Sequence, residues 1–296
     1  MSNYLSRRLF VQKSIAAGLG LAAMKYMNSC SFASGQGMKF GLVTYLWAKD
    51  WDLPTIIANC EKVGFKGIEL RTQHAHKVEI NLSAAQREEV KKRFADSNVT
   101  CVGYGSNFEY HSPDPAILRE NIEQTKEYIK LCKDIGATGI KVKPNTLPAE
   151  VEKEKTIAQI ATSLNEVGKF AQDFDQLVRV EVHGPLTQEI PNIRAIFEQV
   201  SEPNVKICWN SNDKDLLPPG LEANFNSLKK WFGDTVHVRE LNIESYPFQQ
   251  LINLFDDINY NGWILLEASS EQADKLSAMK EQIAIFNRMV AEAKKS

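Results

Sequence analysis

The chain has 296 residues, 43% of them hydrophobic and 24% charged, which is enough apolar material for a large core and too ordinary a charge content for bulk disorder. Its formal charge of −2 hides an asymmetry: the first 33 residues contribute Arg7, Arg8, Lys13 and Lys25 and no acid, and the other 31 basic and 37 acidic residues give −6. That balance excludes a nucleic acid as the expected partner, because phosphate binding relies on clustered Lys and Arg.

At the start of the chain, Ser6-Arg7-Arg8-Leu9-Phe10 precedes an apolar run from Ile15 to Met24 that is too short to span a bilayer. Paired arginines before such a run predict a twin-arginine export signal and linker over residues 1–37, and with it a periplasmic address. Cys30 is a candidate lipid-attachment site that would make the protein a membrane-anchored lipoprotein. Lys25 and Asn28 fit that motif poorly, and cleavage near Ala33 competes with it. The remaining cysteines, Cys60, Cys101, Cys132 and Cys208, lie in apolar patterns without CxxC spacing and read as buried free thiols.

Residues 38–296 read as one domain, in which short β-rich runs alternate with longer helical patterns. The predicted strands are Lys39 to Tyr45, Gly67 to Arg71, Thr100 to Tyr104, Gly139 to Lys143, Leu177 to His183, Val205 to Asn210, Thr235 to Arg239 and Trp263 to Glu267. Helical periodicity is clearest over Pro115 to Ile135, Glu150 to Phe174, Pro247 to Ile258 and Glu271 to Lys294. Gly64 and Gly136 stand just beyond helical runs, where a left-handed cap is wanted. Eight strand–helix units, recurring about every 30 residues over ~250 residues, predict a (β/α)₈ barrel. A doubly wound open sheet is the alternative, but no glycine-rich phosphate loop follows the first strand.

In such a barrel the chemistry lies at the C-terminal ends of the strands. Polar residues gather there: Glu69-Leu70-Arg71, Lys141-Val142-Lys143, Glu181-Val182-His183, Asn210, His237-Val238-Arg239 and Glu267. Strand side chains alternate, so Glu181 and His183 share a face opposite Val180 and Val182. Taken singly, each residue is well explained as a satisfied buried polar group. Glu181, Asn210, His237 and Glu267, on four successive strands, point instead to a shared divalent cation, with Mn²⁺, Mg²⁺, Co²⁺ and Zn²⁺ all compatible with oxygen-rich ligands and one imidazole.

The segments VEVHG, ICWNSND, VHVRE and LLEAS, in this order and spacing, resemble the sugar phosphate isomerase/epimerase family of xylose isomerase-like barrels, and the likeness covers the chain after residue 37. The resemblance implies a metal held by Glu181, Asn210, His237 and Glu267, with the two glutamates also acting as acid and base on opposite faces of a sugar. It implies substrate-binding roles for His183 and Arg239, and Lys143 is a further candidate for hydroxyl or oxyanion contacts. Trp47, after the first strand, is a candidate for stacking on a sugar face. The histidines of Arg71-Thr72-Gln73-His74-Ala75-His76 and Asn107-Phe108-Glu109-Tyr110-His111 read as solvated loop residues and stay outside the core set.

One departure stands out. Asn210 replaces the family's usual Asp, which implies a weaker metal site, and Asp213 is a candidate to compensate by reaching inward. The implied activity is isomerisation or epimerisation of a free sugar or sugar derivative by proton abstraction next to a carbonyl. A lyase or dehydratase on a keto-sugar or polyol would begin with the same step. A sugar-binding barrel without turnover is the non-enzymatic alternative, and a DNA-repair endonuclease on the same barrel fits poorly with five histidines and the acidic charge.

Overall fold

The computed structural model describes residues 37–294. The export signal and Cys30 therefore fall outside the described residues. Eight strands pair in parallel around a closed ring: β1 (Lys39–Val43), β2 (Gly67–Arg71), β3 (Thr100–Glu109), β4 (Gly139–Lys143), β5 (Leu177–Glu181), β6 (Val205–Asn210), β7 (Phe232–Val238) and β8 (Trp263–Leu266). β1 is bonded to both β2 and β8, which closes the barrel. Each strand is followed by a helix, as parallel neighbours require: α1 (Leu53–Val63), α2 (Ala84–Ala95), α3 (Pro115–Ile135), α4 (Lys153–Gln172), α5 (Ile190–Phe197), α6 (Leu221–Leu228), α7 (Phe248–Asp257) and α8 (Lys275–Ala293). This is the predicted (β/α)₈ barrel.

Local sequence sets the helix limits. Asp52, Ser83 and Asp114 each accept a backbone N–H at the start of α1, α2 and α3, satisfying donors that a helix leaves free. Gly64 and Gly136 adopt φ of 106° and 80° at the ends of α1 and α3, the left-handed caps that the sequence predicts. Several strands end earlier than periodicity suggests. β1 stops at Val43, β5 at Glu181, β7 at Val238 and β8 at Leu266, so Tyr45, His183, Arg239 and Glu267 occupy the first residues of the following loops. β3 instead continues to Glu109.

Alternation produces two cores. Outward-facing residues such as Val178 and Val180 pack against the helices in the main core, while Val43, Val102, Trp263 and Leu265 form a small separate cluster. Cys60, Cys101, Cys132 and Cys208 are buried and unpaired with one another, as predicted. Arg179 crosses the interior, fully buried, and donates through Nε and Nη2 to Asp234 at 2.8 and 2.7 Å, through Nη1 to the Val102 carbonyl at 3.0 Å and through Nη2 to Thr138 at 2.7 Å. Gly103 makes room for it, since a Cβ there would lie 2.2 Å from Nη1. Truncating Arg179 would leave these acceptors without donors. Arg179→Met should lower unfolding free energy by about 3 kcal/mol, measured by urea denaturation.

Candidate metal and substrate site

Six strands send charged or amide side chains to one end of the barrel. At the centre lies His237, on β7 and fully buried. Its Nδ1 is 3.4 Å from Glu181 Oε1 and 3.6 Å from Glu267 Oε2, while Nε2 is 3.2 Å from Glu69 Oε1. Neither ring nitrogen makes a well-formed hydrogen bond among the described residues, and neither do the Glu69 oxygens.

Each of the other two carboxylates has a cation of its own. Lys141, fully buried on β4, places Nζ 2.6 Å from Glu181 Oε2. Arg71, at the end of β2, donates from Nη1 to Glu267 Oε1 at 2.8 Å and from Nη2 to Asn107 at 2.9 Å. Gly105 lies across from these groups, and a Cβ there would come within 2.6 Å of Glu69 Oε1 and 3.0 Å of Arg71 Cδ. Asn210 closes the set by donating from Nδ2 to Glu181 Oε1 at 2.7 Å.

Burial by itself would raise the Glu181 carboxyl, but Lys141 and His237 overrule it and hold it well below the usual carboxylate range. Glu69 is lowered in the same way, against burial, chiefly by His237 and Lys141. For His237, burial opposes the charged ring, yet Cys208, Glu69 and Glu181 outweigh it and raise its pKa well above the ordinary value. His183 is shifted down, first by burial and further by Lys143 and Lys141, so a neutral imidazole faces the cleft near pH 7.

The donors suit a divalent ion. Metal–ligand distances of about 2.0–2.2 Å put neighbouring ligand atoms roughly 3.0–3.6 Å apart, which is the spacing around Nδ1. Glu181, His237 and Glu267 each offer an atom, and these atoms lie within 4.8 Å of one another. Glu69 stands 3.2 Å from Nε2, on the side from which a carboxylate commonly orients a ligating imidazole, though without a well-formed hydrogen bond to it. Asn210 could contribute its oxygen only by turning its amide away from Glu181.

Above these residues opens a cleft of about 490 Å³, within the range for small-ligand pockets. Its lining includes Tyr45, His183, Asn210, Arg239 and Glu267, but not Glu181, which is 1% exposed. The Nδ1 of His183 and the Nε of Arg239 are buried without a hydrogen-bond partner, while other atoms of both residues line the cleft. Gly184, at φ 94°, shapes the turn after His183, and a Cβ there would overlap the Asn145 carbonyl at 1.8 Å.

Four expectations change. Trp47 is 1% exposed within the main core and donates its indole N–H to the Ser270 carbonyl at 2.8 Å, so its ring is covered; Tyr45, two residues earlier, is the aromatic at the cleft. Asp213 does not reach inward. It opens a short 3₁₀ turn with its side chain 83% exposed, 3.4 Å from Arg239 Nη2, because Asp215 takes the interior place and accepts from the Asn212 N–H and the Tyr246 hydroxyl. Lys143 ends β4 with Nζ 3.5 Å from Glu109 and does not line the cleft. His76 is no solvated loop residue either. At 6% exposure it bridges the Arg71 carbonyl and the Val78 N–H.

Glu69, Arg71 and Lys141 complete the site without having been assigned to it from sequence. Their signal was present: each is a charged residue near the end of a predicted strand, in phase with a residue facing the barrel interior.

Residues 57–212, more than half of the chain, match the model of the xylose isomerase-like TIM barrel family. The chain belongs to that family. The barrel is also similar to solved structures. A 3-keto-D-glucoside 4-epimerase from E. coli superposes with a TM-score of 0.71 at 14% identity, covering 85% of this chain and 99% of that one. An L-ribulose 3-epimerase gives 0.75 at 16% identity over 87% and 96%. The IolI protein, with a bound zinc atom, gives 0.69 at 15% identity over 86% and 99%. At these identities the likeness speaks for the fold.

Asn210→Asp would set a second carboxylate against Glu181 in place of an N–H donor. The variant should lose stability without metal and bind Mn²⁺ at least about tenfold more tightly, since close like charges disfavour the ion-free state. Thermal melts with and without Mn²⁺ and calorimetric titration check both effects.

Proposed function

We propose that the protein is a divalent-metal-dependent isomerase or epimerase of a free sugar or sugar derivative. One observation carries this reading: the unpartnered Nδ1 of His237 faces Glu181 and Glu267 beside a cleft lined by Glu267, His183 and Arg239. Glu181, His237, Glu267 and a turned Asn210 amide would hold the ion, which when bound would supply Lewis acidity for the negative charge that grows beside a carbonyl.

The chain's own residues would do the rest. Glu267, the carboxylate that reaches the cleft, accepts the proton from the carbon next to the carbonyl. The C–H bond breaks and its electron pair passes toward the carbonyl oxygen, giving an enediolate. Arg71 keeps the Glu267 carboxylate oriented through Oε1. His183 and Arg239 bind hydroxyl or oxyanion groups on the substrate, where fixed donors are most effective. Glu267 returning its proton to the neighbouring carbon would give the isomer, and Glu181, the other glutamate of the pair, delivering its own proton to the opposite face would give the epimer. An exported enzyme, the address read from Arg7 and Arg8, would meet unphosphorylated sugars.

A second reading, a sugar-binding barrel without turnover, draws on Asn210, whose amide donates to Glu181 where a metal site would want an oxygen. Incubation with Mn²⁺ and a panel of free and glycosidic sugars in D₂O, followed by NMR, separates the two. The enzyme reading expects loss of the proton next to the carbonyl, reduced about 10²- to 10⁴-fold in Glu267→Gln. Sugar binding with no exchange across the panel would instead favour the binder, and loss of a leaving group would identify a lyase.

A further inference from the structure

Lys141 has no role in the proposed reaction, yet it is buried directly against a candidate metal ligand. Its side chain is fully buried, and its Nζ contacts the Glu181 oxygen that faces away from His237. The other oxygen of the same carboxylate faces His237 and receives the Asn210 amide. A buried lysine needs a compensating charge, and here the compensation is a candidate metal ligand. Its influence extends further, because it also lowers Glu69 and His183.

We propose that Lys141 is a positioning residue that limits Glu181 to one oxygen for the metal and, through its own charge, holds cation affinity low. The inference rests on the metal-site reading. Two effects follow from one group. As a donor, the ammonium pins Oε2 and so aims Oε1 toward Nδ1 of His237. As a charge, it repels any second cation drawn to the same carboxylate. The two effects are separable by substitution: glutamine at this position can still donate to Oε2 but carries no charge, and methionine does neither.

Co²⁺ serves as the probe, titrated into the full-length protein and followed by calorimetry and visible absorption, with no substrate required. Lys141→Gln should bind Co²⁺ at least about tenfold more tightly than wild type, with the wild-type spectrum, because a nearby cation has been removed while Glu181 stays in place. Lys141→Met should also bind more tightly, but with a weaker, shifted absorption as Glu181 adds its second oxygen and the coordination number rises. Circular dichroism verifies that each variant is folded, and if Lys141→Met is not, Lys141→Gln decides the charge effect alone. Wild-type or weaker affinity in a folded Lys141→Gln protein overturns the proposal and leaves the metal reading intact. No Co²⁺ binding by wild type or either variant overturns the metal reading and this proposal together.

Discussion

The site depends on balancing charge inside a barrel. Glu69 and Glu181, cut off from water, and Glu267, at the edge of the cleft, converge on His237, and three carboxylates so placed would repel one another strongly in a medium of low dielectric. Lys141 and Arg71 offset two of them by direct contact, and the His237 ring lies between all three. Burying such groups is costly unless each finds a partner. The arrangement therefore requires strands that register closely enough to bring six side chains within a few ångströms. Gly105 is part of that requirement, because any side chain there would displace Glu69.

Much of this order is written in simple periodicity. Alternation placed Glu181 on one face and Val180 on the other, and the repeat of strand and helix identified the barrel; the caps at Gly64 and Gly136 were equally plain. What periodicity could not supply was the distinction between a strand's last residues and the loop beyond it. Trp47 lies far enough past β1 for the chain to turn its ring into the core, while Tyr45 stays at the opening. Asp213 and Asp215 are both plausible inward residues by sequence, and the choice is made by Tyr246, a donor from a distant loop. Lys141 and Lys143 likewise differ by one pleat, and the shorter path to Glu181 belongs to the deeper of the two.

Family membership and chemistry rest on different supports. The family match extends from α1 to just beyond β6, and so includes Glu181 and Asn210 but neither His237 nor Glu267. Those last two are tied to Glu181 by the distances around the His237 ring. The Asn210 amide separates this chain from the ligand set that its resemblance to sugar isomerases and epimerases implies. With two carboxylates and an imidazole that must first give up the proton its neighbours favour, the candidate ligands just offset a divalent charge, and Lys141 shifts the local balance further toward positive.

The small apolar cluster of Val43, Val102, Trp263 and Leu265 and the buried Arg179 side chain fill the barrel interior, as packed side chains do in such barrels. A filled interior makes the mouth a blind alley: a molecule that enters must back out the way it came. Whatever binds at the cleft would then arrive and leave by one doorway, so a slow departure would delay the next arrival.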